Sequence, residues 1–106
     1  MNIPSSVVWN QLIRAADSTS NNLVEAEGAT SDADFIAKMR IALREAKESR
    51  TCLLKIRLGG LAHAEAVIER KLEQEADELA AIFATIVMKM ERRIATSSAT
   101  SRRPKL

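Results

Sequence analysis

Tyrosine is absent from this chain of 106 residues, and cysteine, histidine and tryptophan occur once each. A lone thiol forms no disulfide within the chain, so a stapled secreted scaffold is excluded, and Cys52 reads as a small apolar filler. Three glycines and two prolines leave neither a collagen-like repeat nor a glycine-rich phosphate loop. The longest apolar run without charge, Leu79 to Met88, reaches only about half of a membrane span. No charged-then-apolar leader opens the sequence, so a cytoplasmic protein with no membrane partner is expected.

Catalysis needs converging polar groups of matched acidity, and few are present. A di-iron helical bundle requires Glu-x-x-His pairs, whereas His63 has Gly60 three positions before it. His63 therefore reads as an exposed residue at a helix start. No catalytic, metal-binding or cofactor-binding residue is assigned, and neither an enzymatic activity nor a small-molecule substrate is expected.

The chain carries 16 basic and 14 acidic residues, a formal charge of +2. Arg102, Arg103 and Lys105 crowd the last few positions, and the remainder is close to neutral. A strong nucleic-acid binder presents a net basic face, because phosphate contacts release counterions. That signal is weak here.

What the sequence has in abundance is helical periodicity, and it predicts an all-α, up-and-down antiparallel bundle over residues 1–96. Pro4 followed by Ser5 and Ser6 starts a helix that runs to about residue 27, before Gly28. Trp9, Ile13, Ala16, Ser20 and Leu23 form its main apolar row, with Val8, Leu12, Ala15 and Thr19 beside them. Between Ser5 and Val24 only Arg14 and Asp17 are charged, which implies burial on more than one side. Ser31 caps a second helix over 32–58, with Asp34 completing a capping pair and Asp32 suiting the positive helix end. Its seam is Phe35, Met39, Ala42, Ala46, Ser49, Leu53 and Ile56.

Gly59 and Gly60 permit a left-handed turn and a fold-back into a third helix over 61–96. Ile68, Leu72, Ala76, Leu79, Phe83, Ile86, Met90 and Ile94 lie on one of its faces. Carboxylates gather in its first half, while Lys89, Arg92 and Arg93 crowd the far end, which reads as matching of the helix dipole. The charge-free run is apolar all round, more than two neighbouring helices can cover. From residue 97 to residue 106 the sequence reads as a flexible basic tail.

Two helices with too much apolar surface for one protomer point to a homo-oligomer, with Trp9, Leu12, Ile13, Leu23, Ile82, Phe83, Ile86 and Val87 as its interface. Asn22 and Glu25, within one turn on the first helix, read as a structural pair that bonds helix ends or a neighbouring subunit. Lys38, Arg40, Arg44, Lys47, Lys55 and Arg57 on the second helix, with Arg92 and Arg93 on the third, are the candidate contacts to RNA or DNA. An ordinary solvated face laced with Glu45 and Glu48 is the plainer alternative.

The runs Gln11-Leu-Ile-Arg-Ala-Ala-Asp-Ser and Asn22-Leu-Val-Glu-Ala, then Ser31-Asp-Ala-Asp-Phe-Ile-Ala-Lys-Met-Arg-Ile-Ala-Leu-Arg-Glu-Ala-Lys-Glu-Ser, closely resemble the bacterial four-helix bundle proteins, also called ribosomal-RNA intervening-sequence proteins. Glu75-Ala-Asp-Glu-Leu and Thr85-Ile-Val extend the resemblance, which covers roughly residues 4–93. It implies a helical bundle with no known enzymatic activity. Relatives in diversity-generating retroelements form ring-shaped pentamers that bind nucleic acid and a reverse transcriptase, so a pentamer is the implied assembly. Family members usually carry a further helix before the segment that starts here at Ile3-Pro4, and this chain is expected to hold three of the four. Thr51-Cys52-Leu53 departs from the aromatic residues usual at that place, and this chain is less basic than the nucleic-acid-binding relatives.

Overall fold

The computed structural model describes residues 3–101, with side chains placed through Ser98. Among them there are four helices and no strand: α1 (Ser5–Glu27), α2 (Asp32–Leu58), α3 (Ala64–Glu69) and α4 (Leu72–Ser101). The all-α architecture and the first two helix spans agree with the periodicity. In α2 the start is fixed by Ser31, whose hydroxyl accepts the backbone N–H of Asp34 at 3.0 Å. Its end is fixed at Gly59 and Gly60. Gly60 takes φ 56°, and the Leu61 and Gly60 amides return to the carbonyls of Ile56 and Arg57 at 3.0 and 3.3 Å. Only a residue without a Cβ adopts that turn cheaply, so the chain reverses there.

α2 is the central rod. α1 packs along one flank and α4 along the other, and among the described residues α1 and α4 do not pack on each other. Of the seam predicted for α2, Met39, Ala42, Ala46, Ser49, Leu53 and Ile56 are buried and Phe35 is half-buried. Two clusters follow along the rod. One gathers Val8, Cys52, Leu53, Ile56, Val67 and Ala76, and the other gathers Ala26, Ile36, Met39, Ala46, Phe83 and Val87. Alanines at the crossings let the helices approach closely.

Three expectations are corrected. The third helix is not continuous over 61–96: it is broken at Arg70 and Lys71, where Lys71 takes φ 52°. The break has a packing cause. α3 lies at the end of the bundle, anchored by fully buried Val67 beside Ile56, and α4 needs another phase to bury Ala76 and Phe83 against α2. In α1 the buried residues are Val8, Ala15 and Ala26; Val8 and Ala15 come from the row placed second from sequence, and Ala15 brings the backbones together where Ile13 cannot. Finally, α4 runs to Ser101, into the segment read as a tail. No glycine or proline interrupts it before Pro104, and residues 102–106 lie outside the described residues.

Ion pairs lace α2 to both neighbours. Arg14 of α1 reaches Glu45 at 3.4 Å and also Glu48, and Lys38 meets Glu25 at 2.9 Å. On the other flank Arg40 meets Glu91 at 3.1 Å, Arg93 meets Asp32 at 3.4 Å, and Arg57 and Arg50 pair with Glu73 and Asp77. Exposed pairs of this kind add little to stability, so their main effect is to fix helix register.

Candidate functional site

Because α1 and α4 sit on opposite flanks of α2, an apolar groove runs between them. Its volume is about 380 Å³. Leu12, Ala16, Ser20 and Leu23 of α1 form one wall, Leu72, Ala76, Leu79 and Phe83 of α4 form the other, and Ala46, Ser49 and Leu53 form the floor. Small side chains on the floor make it a trough; larger ones would have filled it. The buried Ser49 hydroxyl donates to the Glu45 carbonyl at 3.0 Å, so the floor presents no unpaired polar group. A second recess, of about 610 Å³, opens at the glycine end between Ile3, Val8, Leu54, Leu58 and Leu61, with Lys55 on its border.

Surface beyond the groove is also apolar. Ile13, Val24, Leu58, Ile82 and Met88 are each more than half exposed. Of the residues expected at an interface between copies, Ile13 and Ile82 face solvent, Leu12 and Leu23 line the groove, and Trp9 and Ile86 are half-buried. Phe83 and Val87 are buried within the protomer, in the core shared with α2. Trp9 latches α1 to the segment after the glycine turn. Its indole N–H donates to the Ala62 carbonyl at 2.8 Å, and its ring meets His63 edge-on at 6.1 Å. Asn22 donates to the Ser18 carbonyl one turn earlier at 2.8 Å, while Glu25 meets Lys38.

The candidate nucleic-acid contacts divide by where α2 turns them. Lys38, Arg40, Arg57 and Arg93 are tied to carboxylates of neighbouring helices, and Arg44 lies 3.8 Å from Glu45. Lys47, Lys55 and Arg92 make no ion pair among the described residues. Arg40, Arg44, Lys47 and Lys55 share the outward face of α2, opposite the groove, at the three- and four-residue steps of a helix. Half of that face is therefore already neutralised within the protomer.

His63 is exposed and stands at the N-cap position of α3 with φ 65°, its side chain making no capping bond. Cys52 is buried, and burial pushes its thiol pKa up, the state of an inert thiol. No helix among the described residues is long and apolar enough to cross a membrane. The groove floor, Ala46 and Ser49, escaped notice in the sequence as part of a site; the signal was the run of small side chains in the α2 seam, which a close-packed neighbour explains equally well.

The sequence profile of the 23S rRNA-intervening sequence protein family matches residues 5–85, from the start of α1 into the middle of α4. No curated protein and no solved structure matches the chain.

Proposed function

The chain belongs to the 23S rRNA-intervening sequence protein family, and we propose that it is a non-enzymatic assembly protein of the cytoplasm, acting as copies of itself packed through exposed apolar faces. One observation carries this reading. A compact monomer of 11.7 kDa exposes about 5,900 Å² of surface, and this chain exposes 7502 Å². The excess is close to what one chain gives up in two interfaces of standard size, about 800 Å² each. The outline agrees: the radius of gyration is 18.0 Å, where a compact domain of this length has about 13 Å. Ile13, Val24, Leu58, Ile82 and Met88 are each more than half exposed, and such apolar surface on one small chain calls for a partner.

Sedimentation velocity over a range of concentrations tests the reading. Assemblies are expected, at a mass near five times 11.7 kDa if the pentamer implied by the family resemblance holds. A folded protein that stays at 11.7 kDa at every concentration overturns it.

A second reading, RNA or DNA binding by the assembly, is favoured by the outward stripe of Arg40, Arg44, Lys47 and Lys55. Repetition around a symmetry axis turns one modest stripe into a continuous positive surface. Retardation of ribosomal RNA or DNA in a gel at about 50 mM salt, weakened in a Lys47→Ala, Lys55→Ala variant, is the expected result. No retardation at that salt removes this reading and leaves the assembly role intact.

A further inference from the structure

α1 carries more apolar surface than its own protomer uses. Val8, Ala15 and Ala26 are buried against α2, and Leu12 and Leu23 wall the groove. About a quarter turn further round the helix, Ile13 and Val24 are 63% and 68% exposed. With Ser20 they form a ridge at seven- and four-residue steps, and Asp17 stands at its outer edge. The ridge itself is free of charge. Arg14, the other charged residue between Ser5 and Val24, is turned to Glu45 and Glu48 of α2.

The groove has the matching character. Its walls are mostly leucine, with Phe83 at one end, and Glu75 is the one charged residue lining it among the described residues. The outward side of α4 is a poorer occupant for such a trough, because Glu78 and Lys89 lie beside Ile82 there and would lose water without gaining a counter-charge. Direction fits as well. The pairs Arg14–Glu45 and Lys38–Glu25 set α1 antiparallel to α2, and Arg57–Glu73 and Arg40–Glu91 set α4 antiparallel to α2, so α1 and α4 run the same way. Copies related by rotation about an axis along the helices keep that direction, and α1 of a neighbour enters the groove parallel to both walls.

The number of patches agrees with the surplus surface, which equals about two interfaces per chain. A two-fold contact gives each chain one interface, whereas a head-to-tail contact gives it two unlike ones and closes into a ring. We propose that the groove receives the α1 ridge of Ile13, Ser20 and Val24 from a second copy, each chain giving its ridge to one neighbour and its groove to the other. The proposal rests on the assembly reading and specifies the contact within it. The basic stripe of α2 lies opposite the groove and stays exposed.

Sedimentation equilibrium of the full chain tests it, with circular dichroism to confirm helix content. Ile13→Glu spoils the ridge and leaves the groove; Leu79→Glu spoils the groove and leaves the ridge. Each variant alone is expected to associate at least about tenfold more weakly than the parent. An equimolar mixture has one good ridge and one good groove, so it is expected to form pairs of twice 11.7 kDa and nothing larger. Parent-like association of either variant alone, a mixture that stays at the single-chain mass, or a mixture that reaches parent size overturns the head-to-tail contact while the assembly reading stands. A parent chain that never associates overturns both. Val24→Glu and Leu79→Ser spoil the same two patches and replace either variant if it loses its fold.

Discussion

Replacing Lys71 by glycine is expected to stabilise the protein, although glycine ordinarily weakens a helical segment. Lys71 holds φ 52°, a conformation that costs a residue with a Cβ about 1–2 kcal/mol. Glycine removes that cost and adds about 0.5–1 kcal/mol of backbone entropy lost on folding. The net expectation is a gain of about 0.5 kcal/mol from the balance of those two effects. Its neighbour supplies the control. Arg70 has φ −88°, an ordinary conformation, so Arg70→Gly gains nothing and loses about 0.5–1 kcal/mol. The two variants should therefore separate by about 1–1.5 kcal/mol, of the order of half a molar in urea midpoint. Far-UV circular dichroism during urea unfolding, at one protein concentration because association adds to apparent stability, measures the difference. Equal losses in both variants would mean that the helix runs unbroken through Lys71, and the break between α3 and α4 would have to be abandoned.

The remaining expectations concern the core, a latch and one carboxylate. Ile56→Ala removes a fully buried side chain from a cluster to which all four helices contribute and should cost about 2–5 kcal/mol, read from the same unfolding curves. Trp9→Phe deletes the indole donor to Ala62 and should cost about 1 kcal/mol; no loss would place that bond among those water replaces. Cys52 should resist thiol reagents in the native protein and react on unfolding, so prompt native labelling would contradict its burial. Glu48 is held below the usual carboxylate range by its hydrogen bond with Arg14. Since its folded pKa is the lower one, the contribution is present above the unfolded value of about 4.3 and is lost as pH falls through the folded pKa. A Glu48→Gln variant should lose stability above that range and converge with the parent in acid, by less than about 1 kcal/mol because the pair is exposed.

Periodicity made α1 and α2 legible because their ends carry chemical punctuation. Ser31 has a hydroxyl for an orphan amide, and Gly60 takes a φ that other residues avoid. The break at Lys71 has no such mark: lysine is a good helix former, and only the need to bury Val67 and Ala76 in one core forces the turn. The inward row of α1 was ambiguous for a related reason. Two apolar rows lie side by side, and residue size at the crossing, Ala15 against Ile13, decides which one meets α2.

The charges of α4 teach the opposite lesson. Their segregation is plain in the sequence, but its meaning depends on where the helix ends and which face each residue occupies. With an end near Thr96, Lys89 and Arg92 lie close to the negative pole; with the end at Ser101 they do not.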